Sequence, residues 1–261
     1  MQGTIQEEQQ GSTGRYNLRE SRAAPGRWAT PSRKAMRAQF RRTFGLKLSI
    51  REAIKKLGIE AVRSVVKEML QLHNMGTFTG KLMEELTEEE ILSIISSSTF
   101  LKDKYTAQGL FEKLKARLVG GGHQQDKTIY PNNTSPTATT SSLFIVASIA
   151  ATEGRAVATV DFPGAFLHSR MPDDEPPVYM RLNKFEAKVL VEIDKSYDKY
   201  LRKNGTMIVK LNRALYGCVQ SARLWYNKLS KDLESLGFKP NAHDMCVFNR
   251  VEYYYMLMMC L

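Results

Sequence analysis

Apolar positions follow no period of 2 or 3.6 over residues 1–45, and from residue 46 they fall into register. Ser49-Ile50-Arg51-Glu52 reads as a capping box, with Ser49 as N-cap and Glu52 reaching back. Ile50, Ala53, Ile54 and Leu57 then share a helical face that Gly58 interrupts. A second helix is predicted from Ile59 to His73. Val62, Val65, Val66, Met69 and Leu70 form its stripe and "HNMG" its stop. In "LTEEEILSIISS", Thr87 and Glu90 form a second box, and the acids Glu88 to Glu90 complement the helix dipole. Residues 46–98 thus read as a helical segment.

The period then changes. "STFLKDKY" and "FEKLKARLVGGG" read as a β-hairpin turning at "TAQG", residues 106–109. Lys113, Lys115 and Arg117 alternate with Leu114, Ala116 and Leu118, which puts three cations on one face. That face is either an ordinary wet face or a phosphate contact. The "GGG" of 120–122 lacks the Lys-Ser/Thr ending of a phosphate loop and reads as a flexible turn. "TTSSLFIVASIAATEG" predicts a helix buried on most sides and stopped by Gly154, followed by "RAVATV" as a strand ending at Asp161. "LNRALYGC" reads as a short strand or turn. "QSARLWYNKLSKDLESLG" is the clearest helix, with Ala222, Trp225, Tyr226, Leu229, Leu233 and Leu236 on one face and Gly237 closing it. "DMCVFNR" and "EYYYMLMMCL" predict a final hairpin with "RVE" near its turn. The order of elements predicts an α+β fold.

Composition adds a charge argument. The chain has 261 residues and a formal net charge of +11. Residues 1–45 hold 9 Lys/Arg against 3 Asp/Glu, so over half the excess sits in a segment that reads as a disordered basic arm. The balance favours a polyanionic partner. Three cysteines, Cys218, Cys246 and Cys260, with no C-x-x-C spacing predict a reducing compartment. His243 and Cys246 lack the second half of a zinc site. No secretory signal is visible, and the longest apolar run is nine residues against the about 20 a membrane helix needs. An intracellular protein with no membrane contact is expected, rather than a secreted one.

Taken alone, Asp161 reads as an N-cap, a turn residue or a cation ligand. Four stretches change the weighting: "KLKARLVGGGHQQD" (113–126), "SPTATTSSLFIVASIAA" (135–151), "VDFPGAFLHSRMPDDEPPVYM" (160–180) and "LNRALYGCVQSARLWYNKLSKDLESLGF" (211–238), with "DMCVFNR" continuing them. In order and spacing they resemble the reverse transcriptase domain of copia-type LTR retrotransposons. "GRYNLRESR" is similar to the basic linker preceding that domain in such polyproteins.

The resemblance implies a partial right-hand polymerase fold: residues 1–45 a disordered basic linker, 46–98 the helical segment, and 99–261 fingers and palm, incomplete at the C-terminus. It implies RNA/DNA template-primer and deoxynucleoside triphosphates as partners, within a larger polyprotein. The implied cofactor is Mg²⁺, two ions about 3.5–4 Å apart in the complete enzyme. Asp161 and the Phe162 carbonyl would be metal ligands, with Asp161 catalytic. Gly164 and Ala165 would offer backbone N–H groups to the triphosphate, and Phe166 would hold the sugar-gate position. Arg117, supported by Lys113 and Lys115, would contact the phosphates, and Tyr216 and Gly217 would lie beneath nucleotide and template. Members carry three catalytic carboxylates, two of them in a Tyr-x-Asp-Asp type turn. The only Asp pair here, Asp173-Asp174, falls in the loop after the first motif. A chain inactive by itself is therefore expected, with "YYYMLMMCL" an exposed sheet edge. The alternative is a non-enzymatic basic nucleic-acid-binding protein or a degraded element.

Overall fold

A computed structural model of the chain describes residues 48–49, 54–55, 57–106, 108–130, 133–250 and 255–258, all within one compact unit, Gly45–Leu261. The basic arm lies outside the described residues, as does most of the first predicted helix with Glu52. Ser49 belongs to a short strand, β1 (Leu48–Ser49).

The second predicted helix is present as α1 (Ile59–Asn74). Its end is fixed by backbone geometry. Gly76 takes φ 62°, its N–H bonds to the His73 carbonyl, and the Thr77 N–H bonds back to Leu72. These are the two reciprocal bonds of a Schellman stop, which needs a residue tolerant of positive φ. The buried stripe is Ala61, Val65, Met69 and Leu72, whereas Val66 and Leu70 stay exposed. The observed stripe is rotated from the predicted one, with the small Ala61 fully buried and the larger Val66 and Leu70 outside it.

Residues 46–98 are not helical throughout. β2 (Phe78–Lys81) follows α1, and the Thr87–Glu90 box forms as predicted but starts a helix of five residues only, α2 (Glu88–Leu92). β3 (Ile95–Tyr105) and β4 (Phe111–Gly120) make the predicted hairpin, with register Phe100↔Arg117, Lys102↔Lys115 and Lys104↔Lys113. α3 (Thr140–Thr152) is capped by the Thr139 side chain, which accepts from the Ser142 N–H. β5 (Tyr179–Leu182), α4 (Lys184–Ile193), β6 (Met207–Leu211) and α5 (Ser221–Ser235) complete the larger layer.

The sheet order is β1-β3-β5-β6-β2, with β4 added on β3. The β3–β5 pairing is parallel and the others antiparallel, so the fold is mixed α/β with a mixed sheet. Leu101, Leu118, Met180, Leu182, Leu190, Met207 and Leu211 are fully buried between this sheet and α1 and α4. A device unseen in the sequence locks β3 to α4. Glu186 is completely buried and accepts from the Asn183 N–H (2.7 Å), Thr99 Oγ1 (2.7 Å) and Ser97 Oγ (3.3 Å). Asn183 and Glu186 form a capping box, so one carboxylate serves helix and strand together.

β7 (Lys239–Pro240), β8 (Val247–Arg250) and β9 (Tyr255–Met258) form a second, three-stranded sheet. β8 and β9 are the predicted hairpin, with Arg250 opposite Tyr255. Beneath β8, Tyr226 and Leu233 of α5 pack with Cys246 and Phe248.

Two expectations are corrected. Residues 155–160 are not a strand: no described strand pairs with them, and Val157 and Val160 are 77% and 75% exposed. α3 was expected to be buried on most sides, yet none of its residues is buried. The two corrections share a cause. The apolar runs mark surfaces that require a covering layer, and no described element supplies one for either. α3 is held at its N-terminus instead, where Asp244 accepts from the Thr139 N–H (3.0 Å) and the Cys246 N–H (2.9 Å).

Candidate functional site

The site begins at a backbone crossing. The Gly120 N–H donates to the Tyr216 carbonyl at 2.8 Å. A Cβ on Gly122 would lie 2.0 Å from the Gly217 carbonyl oxygen, and a Cβ on Gly217 (φ 90°) would lie 2.3 Å from the Gly120 oxygen. The reading of 120–122 as a flexible turn is therefore corrected. Gly120, Gly121 and Gly122 are buried where side chains would not fit, Gly120 and Gly122 against the 214–218 turn and Gly121 against Ser96 and Gln124. The crossing seats the end of β4 on that turn.

This brings Arg117 over the Tyr216 ring, 5.4 Å from guanidinium carbon to centroid. Tyr216 in turn packs on Phe166, with centroids 4.7 Å apart and planes tilted by 43°. Phe166 projects from a 3-10 turn, Ala165–His168, entered through Gly164 in the left-handed region (φ 66°). Gly164 is buried against α1, where a Cβ would stand 2.8 Å from Gln71 Nε2. The turn is held on both sides. Leu167 is buried and its carbonyl accepts from Arg213 (3.0 Å), while Phe162 and His168 pack against Trp225 of α5, at 5.4 and 6.1 Å. Three segments distant in sequence thus meet at Arg117, Tyr216 and Phe166, with Gly164, Ala165 and Gly217 adjoining them in the chain.

The electrostatics differ from a bare cationic face. Arg117 bonds Glu68 of α1 at 3.1 Å, and the Leu118 N–H donates to the same carboxylate (3.3 Å). Burial pushes the Glu68 carboxyl above its ordinary value, opposed by Arg117 and the Leu118 N–H. Burial also pushes the Lys115 ammonium down, helped by repulsion from Arg117 and Lys104, while Glu68 and Asp161 act the other way. Lys115 is thus within the electrostatic reach of Asp161. Lys113 turns to Glu112 instead, at 2.7 Å.

Asp161 itself is exposed, at the end of the unpaired 155–160 stretch. Asp173 and Asp174 are exposed in the following loop. Among the described residues no group of three His, Cys, Asp or Glu side chains could hold a metal ion. Mg²⁺ demands near-octahedral oxygen ligation, and one carboxylate with the Phe162 carbonyl does not provide it for two ions. The described residues do not by themselves complete a two-metal centre.

Sequence reasoning missed Glu68, Gln71 and Asp244. For Glu68 a signal exists: a carboxylate three residues after Val65 and four before Leu72, on the buried side of α1. Gln71 and Asp244 matter through tertiary contacts that no spacing announces. Asp244 is held well down, to about 2, by hydrogen bonds from the Ser142 side chain and from the Thr139 and Cys246 N–H groups.

Residues 93–261 match the family described as reverse transcriptase (RNA-dependent DNA polymerase). The chain is 28% identical over 162 residues to the retrovirus-related Pol polyprotein from transposon RE1 of Arabidopsis thaliana, covering 60% of this chain and 10% of that protein. The corresponding polyprotein from transposon RE2 of Arabidopsis thaliana is 25% identical over the same shares. That from transposon TNT 1-94 of Nicotiana tabacum is 28% identical over 190 residues, 72% of this chain and 13% of that protein. The chain therefore spans about a tenth of the length of these relatives. No solved structure matches it. With the matched region reaching from β3 through the glycine crossing and the Phe166 turn to the final hairpin, the chain belongs to the reverse transcriptase family, in the form carried by copia-type retrotransposon Pol polyproteins.

Proposed function

We propose that the Arg117–Tyr216–Phe166 cluster receives the incoming deoxynucleoside triphosphate of a template-directed DNA polymerase, and that residues 99–261 supply its fingers and palm elements. The observation that carries this reading is the convergence of β4, the Ala165–His168 turn and the 214–218 turn on one stack of cation and rings. In this reading Arg117 leaves Glu68 for the phosphates, a charge-assisted exchange of one anion for another. Lys115 and Lys113 add positive potential. Gly164 and Ala165 present N–H groups where the absence of a Cβ at Gly164 allows close approach. Phe166 lies under the sugar and excludes a 2′-hydroxyl, and Tyr216 and Gly217 form the floor.

Asp161 and the Phe162 carbonyl are the residues that would hold Mg²⁺, and the ion would supply positive charge for a 3′-hydroxyl nucleophile and a leaving pyrophosphate. Further carboxylates are needed, and the 261-residue polypeptide by itself is proposed to bind nucleotide without extending primers. The template-primer and the larger polyprotein belong to the same proposal.

The test is equilibrium binding of a fluorescent deoxynucleoside triphosphate. Arg117→Ala should weaken it about tenfold or more, the loss of a hydrogen-bonded charge pair. Equal binding by the parent and Arg117→Ala would remove Arg117 from the site. Robust primer extension that disappears on Asp161→Asn would overturn the inactivity of the isolated chain.

A further inference from the structure

Arg117 is held by a carboxylate that cannot follow it. α1 lies ahead of residues 93–261, the stretch that matches the reverse transcriptase family, yet it meets β4 through one line of side chains. Ser64 Oγ donates to the Leu114 carbonyl at 3.1 Å. One turn further on, Glu68 accepts from Arg117 Nη1 (3.1 Å) and from the Leu118 N–H (3.3 Å). Val65 and Met69 beside them are buried, so α1 stays anchored whether or not Arg117 moves. The Glu68 side chain is 10% exposed, against 23% for Arg117. Arg117 therefore has a way out toward a ligand, and Glu68 has none. The charged groups facing Glu68 are Arg117 and Lys115, both on β4; Lys104 of β3 and Asp161 act on Lys115 in turn. Glu186, the buried acid of α4, is turned to Ser97 and Thr99 instead. Once Arg117 swings to a phosphate, Glu68 keeps one N–H partner and the field of Lys115, which is drawn to the same anion. A buried carboxylate stripped of its cation is costly, and such a group neutralises rather than stay charged. An incoming triphosphate adds like-charge repulsion in the same direction.

We infer that Glu68 is a proton-exchanging counter-ion: it holds Arg117 before nucleotide binds and takes up a proton when Arg117 turns to the triphosphate, which ties nucleotide affinity to pH. The inference rests on the nucleotide reading for its ligand and deepens it by naming how that site is regulated. The proton comes from solvent and forms an O–H bond at Glu68 Oε2, the oxygen that Arg117 vacates. Arg117 stays a guanidinium throughout. Before binding, the two side chains neutralise each other. In the complex Arg117 offsets phosphate charge and the proton offsets Glu68, so lower pH favours the complex. Burial already pushes the Glu68 carboxyl above its ordinary value, and Arg117 is the largest influence opposing that rise. Its departure moves the carboxyl further the same way. Glu68 touches neither substrate nor reacting atoms, so its role is that of a positioning residue.

The test uses the full 261-residue chain and a fluorescent deoxynucleoside triphosphate, with affinity measured from about pH 5 to about pH 8, above the ordinary carboxyl value. Affinity of the parent should climb as pH falls and converge on that of Glu68→Gln, which is neutral at every pH. The ratio of the two affinities should widen severalfold toward the alkaline end. Titration of the triphosphate itself is common to both proteins and cancels in that ratio. A ratio that stays constant across the range overturns the inference, and it is also what a merely structural ion pair would give. A second arm needs no nucleotide. Arg117→Gln removes the guanidinium, and the Glu68 carboxyl carbon-13 resonance should then titrate about one pH unit or more higher than in the parent, since a neighbouring cation holds a carboxyl down by about 1–3. An unmoved titration overturns the inference. Should Glu68→Gln lose its fold by circular dichroism, the carbon-13 titration decides alone, with the resonance assigned through Glu68→Asp. A parent that binds no triphosphate at any pH, while Arg117→Gln still moves the Glu68 titration, would count against the nucleotide site and not against the proton exchange.

Discussion

Gly217→Ala tests whether the glycine crossing organises the site. At φ 90° an alanine is held in a region L side chains avoid, which costs about 1–3 kcal/mol. Its Cβ would also meet the Gly120 oxygen and Val119 Cγ1, each at 2.3 Å. Relieving such overpacking costs about 1–3 kcal/mol more. If β4 and the 214–218 turn part, the Gly120 to Tyr216 hydrogen bond is lost as well, about 1 kcal/mol. The expected destabilisation is about 3–7 kcal/mol, a large fraction of the stability of a domain this size. Two controls separate the causes. Gly76→Ala shares the positive φ (62°) with nothing within 4 Å of the new Cβ, so it should cost only about 1–2 kcal/mol. Gly122→Ala carries no left-handed strain but meets the Gly217 oxygen, so it should cost about 1–3 kcal/mol through overpacking alone, less than Gly217→Ala. Urea unfolding followed by far-ultraviolet circular dichroism measures all three. If Gly217→Ala matches Gly76→Ala within about 0.5 kcal/mol, the usual scatter of surface substitutions, the crossing is not the tight contact described.

Other outcomes follow from the same contacts. Glu68→Gln removes the anion that holds Arg117, and triphosphate affinity measured by fluorescence should rise severalfold, a competing charged hydrogen bond having been weakened; unchanged affinity would mean Arg117 is not the phosphate contact. Glu186→Ala leaves Ser97, Thr99 and the Asn183 N–H without their acceptor, and urea unfolding should show a loss of about 3 kcal/mol or more. Asp244 has a folded-state value depressed from 3.8 to about 2, so its stabilisation is fully present above pH 4 and is lost as pH falls toward 2. Asp244→Asn should flatten the acid limb of stability in that window and raise amide exchange in the first turn of α3, and an unchanged acid limb would contradict the assigned hydrogen bonds.

Local chemistry was legible where it is local. The Thr87–Glu90 box, the positive-φ stops at Gly76, Gly154 and Gly237, and the β3–β4 alternation each depend on a few neighbouring residues, and the chain carries them out. Hydropathy was misleading where burial requires a distant partner. "RAVATV" and α3 have apolar sequence without a described layer to cover it, so the strand does not form and the helix stays exposed. The run at 120–122 looked flexible because glycine permits flexibility, yet the same missing side chains permit the closest approach in the site. The candidate residues were named through resemblance. Their contacts were not legible: the stacking of Arg117 on Tyr216, and its ion pair with a helix residue 49 positions earlier, exist only once α1, β4 and the 214–218 turn have packed.

In the proposed function, Phe166 and its neighbours receive a deoxynucleoside triphosphate. The most direct measurement is competitive binding of dATP and ATP to the 261-residue chain and to Phe166→Ala, in the presence of a primer-template and Mg²⁺. The parent should prefer dATP, and the preference should collapse in Phe166→Ala, chiefly through tighter ATP binding. A parent that does not distinguish the two nucleotides, or a variant that keeps the full preference, would contradict it.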